Sequence, residues 1–327
     1  MAVQARDVPE VLPGSRVSGS VRIGIDLGGT KIEAVALDGS VEAARLRVDT
    51  PRGDYQATVD AMAALVLALE KRVGAHGSVG VGIPGTMSPE TGLVKNANSV
   101  WLIGRPLLAD LERVLERPVR IANDANCFAV SEAADGAGVG AEVVFGVIVG
   151  TGTGAGIVVR GEVLTGPNGI AGEWGHNPLP SPTDDERPGP PCYCGRRGCI
   201  ETFLSGPGMQ ADYEREAGHW LTAPEIVAAA QAGDRHAVAA LERYESRMAR
   251  ALAGVINVLD PHVIVIGGGM SKIDRLYDNV PALWAPHVFA SAGSPEAVHT
   301  RLVRARHGDA SGVRGAAWLW PACEPQA

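Results

Sequence analysis

The stretch Phe145–His176, FGVIVGTGTGAGIVVRGEVLTGPNGIAGEWGH, decides how the rest of the chain is read. An apolar strand, Val143 to Val149, runs into Gly150, Gly152, Gly154 and Gly156 at alternate positions, and a second apolar run, Ile157 to Val159, comes straight back. That is a hairpin whose turn is nearly bare backbone. Glycine lets the chain take positive φ and lets main-chain N–H groups approach an anion closely, so a phosphate cradle is the functional reading. The plainer reading is a glycine-rich hairpin with no ligand. Glu173 and His176, which follow on the same excursion, favour a site.

A related hairpin stands earlier. Val21 to Leu27 (VRIGIDL) reads as a buried strand, Gly28-Gly29-Thr30 as a tight turn, and Lys31 to Leu37 as the returning strand. Laid over the first hairpin, Gly24, Leu27 and Gly28 fall on Gly146, Val149 and Gly150. A duplicated α/β domain with one phosphate hairpin from each half explains both copies.

Around these hairpins, strands alternate with helices. Arg45 to Thr50 and Val79 to Ile83 read as strands, and Tyr55 to Arg72 as a helix with Met62, Leu65, Val66 and Leu69 at helical spacing. A helix over Leu107 to Glu116 precedes a strand over Val119 to Ala122, which leads into a helix from Asp124 to about Ala134. Further helices are expected over Ala223 to Ala232, Arg235 to Leu259 and Gly312 to Trp320, with a strand over His262 to Ile266 ending in Gly267-Gly268-Gly269. The alternation predicts mainly parallel α/β sheets, with ligands at the carboxyl ends of strands.

Composition sets the bounds. The chain of 327 residues, 46% of them hydrophobic, has material for two cores. Its 42 glycines and 22 prolines are dispersed, as turns rather than as a disordered tract. A net charge of −8, from 37 acidic against 29 basic residues, argues against a large nucleic-acid footprint. Apolar runs are too short to span a bilayer, so no membrane partner is expected. Residues 1–20 carry Arg6, Asp7, Glu10 and Arg16 without an apolar stretch, which reads as a flexible N-terminal extension and not a secretory signal. A cytoplasmic location follows as an expectation, and there cysteines are more often ligands or core residues than disulfides.

Three of the five cysteines, Cys192, Cys194 and Cys199, fall in CYCGRRGC, with His176 upstream. Three thiolates and one imidazole suit a closed tetrahedral Zn²⁺ site, structural because no coordination position stays open. Such a metal would order an irregular insertion, LPSPTDDERPGPP, that has few apolar residues of its own. Cys127 and Cys323 read as core or surface thiols.

Asp26, at a strand end before Gly28-Gly29-Thr30-Lys31, is placed to hold Mg²⁺, an ion that takes one or two carboxylates with phosphate oxygens and water. The other reading is an Asx turn. No Walker A loop occurs, and a partial dinucleotide fingerprint from Gly136 lies in the wrong context. Asp124 is the candidate general base, able to accept the proton of a hydroxyl that attacks a γ-phosphoryl group, although an aspartate in a helix's first turn is also a common cap. Asn98, Asn123, Glu173, His176 and Glu201 offer paired acceptors and donors of the kind that sugar hydroxyls need. His176 has two ring nitrogens, so metal and sugar roles can coexist.

These motifs together resemble the ROK family of sugar kinases, in the hexokinase and actin-like superfamily. DLGGTK at Asp26, GTGTGAG at Gly150, GIAGEWGH ending at His176 and CYCGRRGCIE ending at Glu201 look like its phosphate, sugar and zinc motifs. KNANSVWL, ANDANC, GEWGHNPLP and SGVRGAAWLWP are similar to bacterial fructokinases. The resemblance implies Asp124 as base and sugar contacts from Gly85, Asn98, Asn123, Asp124, Glu173, His176 and Glu201. It implies nucleotide contacts from Asp26, Gly28, Gly29, Thr30, Lys31, Gly150, Thr151, Gly152, Thr153, Gly154, Gly267, Gly268 and Gly269. Zinc is implied on His176, Cys192, Cys194 and Cys199.

The fold so implied is two RNase-H-like α/β domains flanking a cleft, assembled as a homodimer. The expected bounds are 21–123 with 310–327 for the N-terminal domain, and 124–309 for the C-terminal domain with a zinc insertion at about 176–201. The expected activity is ATP- and Mg²⁺-dependent phosphorylation of a hexose, D-fructose at its 6-hydroxyl. The alternatives are a glucokinase, mannokinase or N-acetylglucosamine kinase of the same family, or a sugar-sensing regulator without turnover. About twenty residues ahead of the core are too few for the helix-turn-helix domain of repressor members.

Overall fold

The computed structural model describes residues 21–289 and 297–320. The expected N-terminal extension and Cys323 lie outside these. In chain order the elements are β1 (Val21–Leu27), β2 (Lys31–Asp38), β3 (Val41–Asp49), α1 (Tyr55–Val73), β4 (Gly77–Ile83), β5 (Thr86–Met87), β6 (Val94–Lys95), α2 (Leu107–Leu115), β7 (Val119–Asn123) and α3 (Asp124–Ala134). They continue as β8 (Val143–Val149), β9 (Thr153–Val159), β10 (Glu162–Val163), α4 (Ile200–Leu204), α5 (Gly206–Ala217), α6 (Ala223–Gln231), α7 (Arg235–Leu259), β11 (Val263–Gly267), α8 (Leu276–Trp284), β12 (Arg301–Arg304) and α9 (Ser311–Trp318).

The two main sheets have the orders β3-β2-β1-β4-β7 and β10-β9-β8-β11-β12. Both are mixed, which corrects the expectation of mainly parallel sheets. The links β1-β2 and β8-β9 are short glycine turns, and a turn that short can only return antiparallel. Among the described residues, β1-β4, β4-β7, β8-β11 and β11-β12 pair in parallel, and their connections are long enough to cross over.

The chain divides into two compact units. Among the described residues, one takes the chain up to Gly136, Gly161–Ala171 and the segment from Asp309; the other takes Ala137–Arg160 and Gly172–Gly308. The boundary expected between 123 and 124 is therefore displaced, because α3 stays with the first unit. α3 packs against α9: Ser311 Oγ donates to Glu132 Oε1 at 2.8 Å, and Arg314 pairs with Asp135. Ser311 and Glu132 are buried, so these bonds hold where water cannot replace them.

In the first unit, α1 is capped by Asp54, whose carboxylate accepts the Ala57 N–H at 3.0 Å, and ends at Gly74 with φ 70°. Its apolar stripe, Val59, Met62, Val66 and Leu69, is fully buried with the strand residues Ile23, Ile25 and Val81. On the far side, α9 lies directly on the sheet backbone. A β-carbon at Gly24 would stand 2.0 Å from the Val313 carbonyl oxygen, and one at Gly80 only 1.8 Å from that of Ala316, so only glycine permits this approach.

The second unit is built on α7, whose buried face meets Phe145, Tyr213 and Ile264 in one core. Phe145 also meets Trp174 edge to face, centroids 5.9 Å apart, a favoured aromatic geometry. The insertion after Pro178 is anchored by charge. Glu186, only 7% exposed, receives Arg247 at 2.8 Å and Arg250 at 2.7 Å, both from α7. Burial alone would raise its pKa, but hydrogen bonds from Arg250, Arg247 and the Thr183 N–H outweigh it and hold the carboxyl at about 2. The insertion thus has an internal anchor besides any metal, which the expectation of metal-driven order omitted.

Candidate functional site

In the first unit, the β1-β2 turn is pinned by its carbonyl oxygens. Thr50 Oγ1 donates to Gly28 O at 2.7 Å, Arg52 Nε to Gly29 O at 2.6 Å and the Thr50 N–H to Thr30 O at 3.0 Å. On the amide side, Gly28 N donates to Lys31 O at 3.0 Å, while among the described residues the N–H groups of Gly29 and Thr30 have no protein acceptor. The β8-β9 turn repeats the pattern. Gly206 N donates to Gly150 O at 2.8 Å and Gly150 N to Gly152 O at 2.9 Å, leaving the N–H groups of Thr151 and Gly152 without a protein acceptor among the described residues. In the register that lays Gly28 on Gly150, these two pairs fall on the same positions. Adjacent amides held from behind are what an anion-binding concavity requires.

The cradle is narrower than the motif. Thr153 and Gly154 already belong to β9; the Thr153 N–H is spent on Glu201 Oε2 at 2.9 Å, and its hydroxyl is buried without a partner among the described residues. At the end of β11, Gly268 holds φ 79° and ψ −178°, and a β-carbon there would meet the Val149 carbonyl oxygen at 2.4 Å. That backbone region is essentially reserved for glycine. Gly269 follows and lines a pocket of about 580 Å³ with Gly150, Thr151, Pro207, Val227 and Ile273. Its walls are largely apolar, with Thr151, Gln210 and Lys272 as polar members. The motifs located its glycine floor; the α5 and α6 walls were missed, since apolar residues on helices carry no signature of a ligand.

Asp26 is the next-to-last residue of β1 and is paired in register with Glu33 of β2. Its pKa is pushed up to about 6, first by burial, then by the neighbouring carboxylates of Asp124 and Glu33, with Lys31 opposing. Asp124 opens α3. The helix cap is Asn123, whose Oδ1 accepts the Ala125 N–H at 2.9 Å; Asp124 Oδ1 accepts the same N–H at 2.8 Å. A neighbour therefore does the capping, and the Asp124 side chain stays exposed at the end of β7. Beneath it, Cys127 is fully buried, and burial pushes its thiol far up, with Asp26 and Asp124 adding to the shift. This thiol is inert packing.

The loop Pro84-Gly85 gathers the sugar candidates of this unit. Asn123 Nδ2 donates to Gly85 O at 3.1 Å and the Asn98 N–H to Pro84 O at 3.2 Å. Gly85, Asn98, Asn123 and Asp124 thus form one polar cluster. Glu173, His176 and Glu201 belong to the second unit, Glu173 exposed and Glu201 turned onto the β8-β9 hairpin.

His176, Cys192, Cys194 and Cys199 place one donor atom each within 4.8 Å of one another. His176 Nδ1 faces Cys192 Sγ at 3.5 Å, and Cys194 Sγ lies 3.7 Å from Cys199 Sγ. A hydrogen bond from Arg196 draws the exposed Cys194 thiol down to about 6, while burial pushes Cys199 up to about 12. Three sulfurs and one nitrogen at this spacing fit a tetrahedral Zn²⁺. The other ring nitrogen, Nε2, is 2.9 Å from the hydroxyl of Tyr193, itself 79% exposed.

The ROK family model matches residues 22–323. An N-acetyl-D-glucosamine kinase of Yersinia pseudotuberculosis is 42% identical over 301 residues, 90% of this chain and 97% of that protein. The solved ROK hexokinase from Thermus thermophilus matches with a TM-score of 0.80 at 30% identity, covering 91% of this chain and 97% of that one. A ROK family glucokinase from Streptomyces griseus, solved in complex with glucose and AMPPNP, matches with a TM-score of 0.71 at 27% identity, covering 91% and 98%. The 42% identical relative is named N-acetyl-D-glucosamine kinase, where the sequence motifs pointed to fructokinase.

Proposed function

The chain belongs to the ROK family, and on that premise we propose that it is an ATP-dependent sugar kinase that phosphorylates N-acetyl-D-glucosamine at its 6-hydroxyl. Kinase activity rests on one observation: two glycine turns, each at the end of a first strand, present a matched pair of amides without a protein acceptor among the described residues, Gly29 with Thr30 and Thr151 with Gly152. Such amides are suited to the phosphates of a nucleotide, and the apolar pocket beside Thr151 to its base.

Asp124 removes the proton from the attacking hydroxyl, and Gly85, Asn98, Asn123, Glu173, His176 and Glu201 orient the sugar. Asp26 is the carboxylate that would hold Mg²⁺, whose charge offsets that of the phosphates. His176, Cys192, Cys194 and Cys199 would hold Zn²⁺ as a structural ion.

The choice of N-acetyl-D-glucosamine over D-fructose is supported by the 42% identity to a kinase of that name across nearly its whole length. The polar groups that suggested fructose address hydroxyls that hexoses share. A coupled assay for ADP release, run on N-acetyl-D-glucosamine, D-glucose, D-mannose and D-fructose, tests the proposal. It requires the highest kcat/KM for N-acetyl-D-glucosamine. A higher value for another hexose overturns the substrate, and no ADP release with any of them overturns the kinase.

A further inference from the structure

The β8-β9 hairpin has glycine at Gly150, Gly152 and Gly154, the residue type that loses most freedom on ordering. Besides the bond from Gly150 N to Gly152 O within the turn, restraint comes from three points outside it. Gly206 N donates to Gly150 O at 2.8 Å. Glu201 Oε2 accepts the Thr153 N–H at 2.9 Å and presses on Gly152, where a β-carbon would stand 2.9 Å from that oxygen. Gly175 lies against the Thr153 backbone, where a β-carbon would be 2.0 Å from the Thr153 carbonyl oxygen.

These restraints adjoin the cysteine-histidine cluster. Gly175 precedes His176. Cys199 is both a cluster thiol and the N-cap residue of α4, and Glu201 lies two residues further along that helix.

We infer that Glu201 is a positioning residue for the triphosphate grip, bracing the β8-β9 turn so that the Thr151 and Gly152 amides face the nucleotide. This deepens the kinase reading and rests on it, since the family resemblance gave Glu201 only to the sugar. A carboxylate accepting a backbone N–H makes one of the stronger hydrogen bonds a side chain can offer a loop. Glutamine keeps an acceptor oxygen at the same reach, aspartate withdraws it by one methylene, and alanine removes it.

The test is the affinity of the full chain for Mg-AMPPNP, measured by titration calorimetry without sugar, with thermal melting and bound metal followed in each variant. Glu201→Ala and Glu201→Asp are expected to bind the nucleotide at least fivefold more weakly than wild type. Glu201→Gln should stay within threefold, even where its KM for sugar rises. Wild-type affinity in both the Ala and Asp variants overturns the inference while leaving the kinase intact, as does an equal loss in Gln and Ala. A wild-type protein that neither binds the nucleotide nor releases ADP overturns the kinase reading itself. Should the Ala variant fail to fold, the Asp and Gln pair decides alone.

Discussion

Asn123 joins two segments far apart in sequence: its side-chain amide donates to the Gly85 carbonyl at 3.1 Å while its oxygen caps α3 through the Ala125 N–H at 2.9 Å. One side chain thereby fixes both the Pro84-Gly85 loop and the helix that begins with Asp124. Asn123→Ala is expected to cost about 1–2 kcal/mol of stability from the lost cap and to raise the sugar KM by more than the nucleotide KM. Chemical denaturation and steady-state kinetics check both. An unchanged ratio of the two KM values would remove Asn123 from the sugar site.

Asp124→Ala is expected to fold, since Asn123 carries the cap, and to lower kcat by about 10² to 10⁴ while still binding sugar. Single-turnover rates beside sugar affinity decide it; near-normal turnover would take the base assignment away.

Asp26 supplies a prediction with a sign. An aspartate raised from 3.8 to about 6 on folding holds its proton in the folded state where the unfolded chain has lost it. Stability therefore falls as pH climbs from about 4 to about 6, and the full penalty, on the order of 3 kcal/mol, persists above that. Asp26→Asn is expected to be more stable than wild type at pH 8, indistinguishable at pH 3.5, and catalytically crippled. Urea midpoints at the two pH values test this, and a variant equally stable or weaker at pH 8 contradicts it.

Glu186→Ala leaves Arg247 and Arg250 without their shared carboxylate, and removing one partner of a buried pair costs about 3–5 kcal/mol. Because its carboxyl is held at about 2, down from 4.5, the stabilisation is complete above the unfolded value and fades as pH falls from about 4.5 towards 2. Melting curves of wild type and variant should therefore converge at low pH.

Cys192→Ser is expected to lose bound zinc and to melt at lower temperature, yet to retain the second unit's core, because the Glu186 anchor does not depend on the cysteines. Elemental analysis finding one zinc per chain in the variant would contradict the ligand set.

The parts of the fold that were legible in sequence are those with local causes. Both glycine hairpins, α1 and α7 follow from apolar runs and helical spacing, and their bounds agree with the structure to within a few residues. α5 escaped notice because it opens Gly206-Pro207-Gly208, which reads as a turn although proline is welcome in a first helical turn. α8 carries Pro281 inside it, and β12 is a charged four-residue strand, RLVR, so neither shows a clear period.

The site divides the same way. Glycine turns, strand-end aspartates and clustered cysteines are visible in the chain. The long-range choices are not: Glu186 reaching α7, or Glu201 turning to Thr153 instead of standing free. Sugar preference lies further still from view, since one substituent shifts discrimination by a few kcal/mol through fine pocket shape.

The helix that covers β1 and β4 follows them in the chain only after the strands and helices of the second unit. A nascent chain at 5–20 residues per second spends roughly 10 to 35 seconds between completing α3 and reaching α9. Throughout that interval its opening sheet has one face uncovered, bare at Gly24 and Gly80 where Val313 and Ala316 will dock. The second unit thus has its described strands and helices to hand before the sheet of the first is sealed.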